Sequence, residues 1–403
     1  MSQKTLKNLF DTYMNSEPLF KDKNALTIKY TPDTVPHRDD QISQIGSILV
    51  PALKGDRPSN IFLYGMTGTG KTLVTRYVVD QLKETAASHG VNINVMYVNC
   101  KMKRVADTEY RLIAYLSGLL GKNVPPTGLP TDQVYKIFFE ALEKESTGVV
   151  ILILDEIDAL VEKVGGDFLY TLTRINQDTE NSKVTIIGIS NNLSFTENLD
   201  ARVKSSLSDE ELIFPPYNAL QLKDILSERA SISFSEGVIM DGVIPKCAAL
   251  AAQEHGDARR ALNLLRVAGE LAERQNMDKV TEDHVDCAES KIDMDHIIEA
   301  VKTQPKQSKI LIKAILSLTD KASDYIYTGD VFDLYVTFCD KIGLKPLTQR
   351  RVSDLIAELD MLSIINTKVI SRGRHGRTRT IRLALSGKVY SKVTEFLDSE
   401  FNI

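Results

Sequence analysis

The 403-residue sequence is poor in cysteine and contains no long apolar run, and each shortage removes a class of protein. Cys100, Cys247, Cys287 and Cys339 lie far apart and match neither a zinc-ligand spacing nor a disulfide framework. They read as small buried hydrophobes in a reducing compartment. No stretch approaches the ~18 consecutive apolar residues of a membrane span, and Met1 to Phe10 lacks the apolar core of a secretory signal. The expected setting is cytoplasmic, with no membrane partner. Internal repeats and low-complexity tracts are also missing, which excludes the repeat architectures. What remains is an ordinary globular composition, 43% hydrophobic and 26% charged, and a length suited to two or three domains of ~150 residues.

The net charge of −5 alone argues against a nucleic-acid partner. Its distribution argues for one. Pro305 to Ile403 holds sixteen basic and eleven acidic residues, a net of +5, which leaves −10 on the remainder. A basic module joined to an acidic one is expected where only one end of a chain touches phosphate.

Leu6 to Phe20 reads as a short helix or arm. Five apolar runs then alternate with helical patterns: Ile61–Tyr64, Ile93–Val98, Val149–Leu154, Val184–Ile189 and Glu211–Phe214. That alternation predicts a parallel sheet covered by helices on both faces. Pro215-Pro216 ends it. From Ala219 to about Val301 the periodicity is helical throughout, and Thr303 to Ser308 reads as a linker. Helices over Lys309–Leu318, Thr328–Lys341 and Thr348–Leu359 precede β-like runs at Ser363–Ile370 and Arg379–Leu385. Three helices and a hairpin are the order of a winged helix-turn-helix. The expected fold is an α/β P-loop domain over 1–217, a helical lid over 218–302 and a winged helix over 303–403.

Gly65-Met-Thr-Gly68-Thr69-Gly70-Lys71-Thr72 matches GxxxxGK[ST] in full, between a predicted strand and a predicted helix. Such glycines let backbone N–H groups turn in around phosphates at a helix N-terminus. Lys71 would neutralise the β and γ phosphates of ATP, and the Thr72 hydroxyl would ligate Mg²⁺. Val149–Leu154 leads into Asp155-Glu156-Ile-Asp158, which sets carboxylates at the carboxyl edge of the sheet beside the P-loop. Asp155 would hold Mg²⁺, and Glu156 would orient and deprotonate the attacking water. Asp158 serves equally well as a helix cap. Asn191, after another strand, would sense the γ-phosphate or water, unless it only closes an Asx turn.

At this point the residues resemble one branch of the AAA+ ATPases. The P-loop, the Asp-Glu-Ile-Asp box, Gly188-Ile-Ser-Asn191, Leu199-Asp-Ala-Arg-Val-Lys-Ser-Ser-Leu207, Phe214-Pro-Pro-Tyr-Asn218 and Gly256-Asp-Ala-Arg-Arg-Ala-Leu262 are similar to archaeal replication initiators. These are relatives of the large origin-recognition subunit and of the helicase-loading cell-division-control protein. The resemblance covers about Leu26 to Ser386. Thr31-Pro-Asp-Thr-Val-Pro-His-Arg38 resembles the family's adenine-pocket segment, which implies nucleotide contacts at Val35, Pro36, His37 and Arg38, with Leu73 and Tyr217 among the others. The resemblance also implies that Asn191 is a sensor, Arg202 an arginine finger acting on a neighbouring subunit, and Arg259 a lid sensor, for which Arg260 is the rival. One departure is Ala201, where the family usually has proline. A helical insertion at about Ile113 to Asp132 is implied to touch DNA through Lys122, although a solvated loop lysine is an equal reading.

In the basic segment, Thr348-Gln-Arg350-Arg351-Val-Ser opens an amphipathic helix whose N-terminal end would enter the major groove. Arg372, Arg374, His375, Arg377, Arg379 and Arg382 crowd the hairpin, whose tip would enter a minor groove. The expected function is a slow, switch-like ATPase that binds double-stranded origin DNA and helps recruit the replicative helicase, with other initiator subunits as further partners. A transcriptional regulator that binds ATP, and a branch-migration motor, are the alternatives. Fast DNA-stimulated turnover would mark the motor.

Overall fold

The computed structural model describes residues 18–28, 30–102, 107–125, 127–145, 148–179, 181–195, 199, 203–204, 210–319, 326–362, 364–371, 377–385 and 387–401. The chain divides into two compact units, Met1–Val285 and Asp286–Ile403. Most of the expected N-terminal arm lies outside the described residues.

The first unit is built on a five-stranded, all-parallel sheet. Its elements run α1 (Asp39–Leu49), β1 (Ile61–Tyr64), α2 (Lys71–Ser88), β2 (Ile93–Asn99), α3 (Glu109–Leu119), α4 (Thr131–Glu145) and β3 (Gly148–Asp155). There follow α5 (Ile157–Val164), α6 (Asp167–Thr173), α7 (Ile175–Asp178), β4 (Ser182–Ser190) and β5 (Glu210–Ile213). The five expected strands are present, each within two residues of its sequence-derived ends. The order β2-β3-β4-β1-β5 puts β4 at the centre. The loops after β1, β3 and β4 therefore open at one carboxyl edge. Both faces of the sheet are dry: Phe62, Met96 and Leu152 belong to one apolar cluster, Ile61, Leu63 and Ile151 to the other. That explains strands that are apolar at every position rather than at alternate ones.

Three helices follow, α8 (Ala219–Ser233), α9 (Val243–Gln253) and α10 (Ala258–Arg274), and α11 (Glu282–Thr303) crosses into the second unit. Asn218 starts α8 with a reciprocal capping box: its Oδ1 accepts from the Gln221 N–H and the Gln221 side chain accepts from its own. Residues ahead of α1 lie on this helical group, a feature the sequence reading missed. The Phe20 and Phe234 rings are 4.4 Å apart, and Lys23 pairs with Glu273 at 2.7 Å.

The second unit contains α12 (Lys306–Thr319), β6 (Ile326–Tyr327), α13 (Thr328–Ile342), α14 (Gln349–Met361), β7 (Ile365–Ser371), β8 (Arg377–Leu383) and α15 (Gly387–Phe401). Its antiparallel sheet runs β6-β8-β7. Two elements here were not expected, β6 and α15. α15 carries an apolar stripe, Val389, Val393 and Leu397, at four-residue spacing, buried in the unit's core. Lys309 and Lys313 on α12 pair with its Glu400 and Asp398.

Gly188 on β4 lies opposite Phe62 on β1, and a Cβ there would stand 2.7 Å from the Phe62 ring. Gly188→Ala is expected to lower the unfolding free energy of the first unit by about 1–3 kcal/mol through overpacking, measured as a reduced urea midpoint at unchanged slope.

Candidate nucleotide site and nucleic-acid interface

A cavity of about 370 Å³ opens at the carboxyl edge of the parallel sheet. The P-loop forms its floor. A Cβ on Gly68, at φ +71°, would stand 1.7 Å from an oxygen of Asp257, and one on Gly70, at φ +92°, would stand 2.9 Å from the Tyr217 hydroxyl. No other residue type fits either position without displacing its neighbour. Lys71 is 4% exposed, and its Nζ donates to the carbonyls of Gly65 and Met66 at 2.7 and 2.8 Å. Burial, then the Arg259 charge, pushes its pKa down to about 8, while Asp155, Asp158 and Asp257 oppose the shift.

Asp155 ends β3 with 5% exposure. Its Oδ2 accepts from Thr72 Oγ1 at 3.0 Å and from the Tyr97 hydroxyl at 2.7 Å. A hydroxyl and a carboxylate at this separation are hard oxygen donors of the kind Mg²⁺ takes alongside phosphate oxygens. Among the described residues no group of three or more His, Cys, Asp or Glu could hold a metal alone. Glu156 adopts the left-handed conformation, φ 57°, with Lys101 Nζ 3.6 Å from its carboxylate. Asn191, Leu73 and Arg259 also line the cavity.

The lid is seated on this floor by the start of α10. Asp257 caps that helix, accepting from Arg259 N at 2.7 Å, and it touches the P-loop through Thr67 Oγ1 at 3.4 Å. The Ala258 N–H donates to the Gly68 carbonyl at 3.3 Å. Arg259 thereby faces the cavity, whereas Arg260 pairs with Glu254 at 2.5 Å. The structure thus separates the two rival arginines.

Two expected adenine contacts are placed elsewhere. Val35 and Pro36 line the cavity, but His37 and Arg38 do not. His37 Nε2 lies 3.0 Å from Asp224 on α8. Arg38, 2% exposed, donates to the carbonyls of Thr69 and Pro215 at 3.0 and 2.6 Å and stacks 3.9 Å over the Tyr217 ring. It clasps the P-loop to the strand-to-lid crossover, because a buried guanidinium must spend its donors on whatever acceptors surround it.

Tyr30, Arg76, Tyr97, Asn99, Glu228 and Arg229 line the cavity without having been singled out. Tyr97 and Asn99 carried a signal, since they share one face at the carboxyl end of β2. The others are brought in from the N-terminal segment and from α2 and α8, with no motif to mark them.

In the second unit, Val352, Leu355, Ile356 and Leu359 bury one side of α14, which leaves Arg350 and Arg351 exposed at its N-terminal end. Arg351 has acidic neighbours, Asp354 and Glu358, each at 3.7 Å. Arg379, expected at DNA, is half-buried and donates through Nη1 to the Ser353 carbonyl at 3.2 Å, which ties β8 to α14. Arg377 pairs with Ser371 in the β7–β8 ladder. Arg372, Arg374 and His375 lie outside the described residues, as does Arg202. Lys122, in the first unit, is half-buried in the turn after α3.

With this geometry in place, comparison with known proteins is specific. Family models match for an AAA domain over residues 54–195, a Cdc6 AAA+ ATPase-type lid domain over 223–290 and a CDC6 C-terminal winged helix domain over 299–393. The chain is 52% identical to ORC1-type DNA replication protein 1 of Archaeoglobus fulgidus, across 96% of this chain and 93% of the relative. It is also 52% identical to the ORC1-type DNA replication protein of Thermococcus onnurineus, across 95% and 92%. Among solved structures, the Aeropyrum pernix ORC1 protein in complex with DNA superposes with a TM-score of 0.83 at 43% identity, across 95% of this chain and 98% of that one.

The depressed Lys71 pKa has a pH signature. An unfolded lysine stays charged to about 10.5, so between about pH 8 and 10.5 the unfolded chain binds more protons than the folded one. Without nucleotide, Lys71's contribution to stability should therefore rise with pH across that window. Lys71→Met should remove that part of the slope in chemical unfolding measured at pH 7, 8.5 and 10.

Proposed function

The chain belongs to the family of ORC1-type DNA replication proteins, and from that premise we propose that it is an ATP-dependent initiator that binds double-stranded origin DNA and helps recruit the replicative helicase. The observation that carries the nucleotide part is the seat of α10 on the P-loop, with Asp257 against Gly68. A group that occupies the P-loop must act on the lid, because the two share a backbone hydrogen bond and a side-chain contact. ATP is therefore read as a switch of shape, with slow hydrolysis to ADP as the reset.

In this reading Lys71 meets the β and γ phosphates, Thr72 and Asp155 hold Mg²⁺, and the metal neutralises phosphate charge when bound. Glu156 orients the attacking water, Asn191 and Arg259 sense the γ-phosphate, and Arg202 completes a neighbouring subunit's site. The domains are 1–217, 218–302 and 303–403, and the protein works in the cytoplasm on the nucleoid. In the winged helix, Arg350 and Arg351 face the major groove, while Arg372, Arg374, His375 and Arg377 line the wing. Phosphate contacts of this kind position the protein and base contacts give it sequence preference.

Lys71→Ala is expected to abolish tight binding of a fluorescent ATP analogue while preserving the fold by circular dichroism. Glu156→Gln should keep the nucleotide but lower single-turnover hydrolysis by on the order of 10²-fold or more, since the amide retains shape and loses the base. Undiminished affinity in the first variant, or wild-type turnover in the second, overturns the assignments.

DNA binding is tested through Arg350. Arg350→Ala should relax preference at one base pair by about 1–3 kcal/mol, whereas paired Arg374→Ala and Arg377→Ala changes should weaken all sequences alike and flatten the salt dependence. Quantitative footprinting on specific and scrambled duplexes at several salt concentrations separates the two effects.

A further inference from the structure

Asp155 receives a second hydroxyl, from Tyr97, which belongs to neither the P-loop nor the Asp-Glu-Ile-Asp box. In the β2–β3 register Tyr97 stands beside Ile153, and Asn99 beside Asp155. Tyr97 therefore starts two residues short of the carboxylate on the same face of the sheet, a rise of roughly 6.6 Å. Among hydroxyl side chains only tyrosine spans that rise. Its hydroxyl donates to Asp155 Oδ2 at 2.7 Å, and the Thr72 hydroxyl donates to the same oxygen at 3.0 Å. The two donors arrive from different elements, β2 and the start of α2, so turning the carboxylate breaks both bonds at once. Asp155 is 5% exposed, which leaves little water to replace a lost donor. The Tyr97 ring is held in turn: the Arg76 guanidinium, one turn beyond Thr72 on α2, lies 4.3 Å from its centroid. All four side chains line the cavity.

We propose that Tyr97 is a positioning residue for the divalent cation that accompanies the nucleotide, setting the Asp155 carboxylate and, through it, the Thr72 hydroxyl. A hydroxyl has one proton and two lone pairs. Thr72 can offer lone pairs to a cation only while its proton is spent elsewhere, and Asp155 Oδ2 is where it is spent. That carboxylate must hold still, and Tyr97 holds it. Because Mg²⁺ demands near-ideal octahedral geometry, the orientation of its oxygen donors matters as much as their identity. Groups that orient metal ligands in this way typically contribute about 10–100-fold in metal affinity. A phenol that only satisfied its hydroxyl at the rim of an apolar layer would stabilise the edge strand and leave cation affinity alone. This inference rests on the nucleotide-binding reading and adds to it a residue from outside the recognised motifs.

The experiment measures Mn²⁺ binding to the full chain saturated with ADP, with free Mn²⁺ counted by electron paramagnetic resonance; like Mg²⁺, Mn²⁺ favours six oxygen donors. Tyr97→Phe removes the hydroxyl and keeps the ring. It is expected to raise the Mn²⁺ dissociation constant about tenfold or more, while affinity for fluorescent ADP in EDTA stays within about twofold of the wild type. Binding of ADP in EDTA also reports that the site is folded. A Mn²⁺ constant unchanged in Tyr97→Phe would overturn the inference. So would equal weakening of Mn²⁺ and of ADP in EDTA, which is the mark of a purely structural tyrosine. Should the wild-type complex hold Mn²⁺ no more tightly than ADP does alone, the nucleotide-and-metal reading fails as well, an outcome seen before any variant is made.

Discussion

The meeting of Asp257 with Gly68 holds the nucleotide end of this molecule together. One carboxylate caps α10, accepting from the Arg259 N–H, and at the same time occupies the space a Cβ on Gly68 would need. Because a helix N-terminus gathers unsatisfied N–H groups and positive potential, an aspartate there is locally favourable whatever it touches. Placing it against a phosphate-binding loop makes the lid helix and the loop compete for the same few ångströms. The aspartate belongs to the Gly-Asp-Ala-Arg motif; its neighbour Arg259 is aimed at the cavity by that cap, and Arg260 is drawn off by Glu254.

The charges beneath the cavity follow one logic. Lys71, Arg38 and Asp155 are each at most 5% exposed, and each is compensated locally. Lys71 and Arg38 spend their donors on backbone carbonyls, while Asp155 accepts from two hydroxyls. Burial without such partners would cost several kcal/mol per charge. Arg229 departs from this pattern, since its Nη1 lacks a described partner, and it stands where the N-terminal segment and the lid close on the cavity.

The same division governs the second unit. Lys309 and Lys313 are buried and committed to α15, and Arg379 is committed to the carbonyl of Ser353. Arg350, at the exposed start of α14, is not so engaged among the described residues. A count of basic residues overstates the surface open to phosphate, because part of the positive charge holds the module's own helices and hairpin together.

Much of the molecule was legible in the sequence because its signals are local. Fully apolar strands, a complete P-loop between strand and helix, a strand ending in Asp155-Glu156 and the Val352–Leu359 stripe each specify a period or a backbone conformation without reference to distant residues. What only the tertiary structure decided depends on contacts across long separations: Arg38 leaving the adenine pocket to clasp Thr69 and Pro215, the N-terminal segment lying on the lid, Tyr97 reaching Asp155, and Glu228 with Arg229 arriving at the cavity from α8. α15 had a readable apolar stripe that the sequence reading passed over, but its docking through Lys309 and Lys313 could not be read locally. A motif records which atoms a short stretch can present. Which acceptor a long, always-charged side chain finds is settled only when the rest of the chain folds around it.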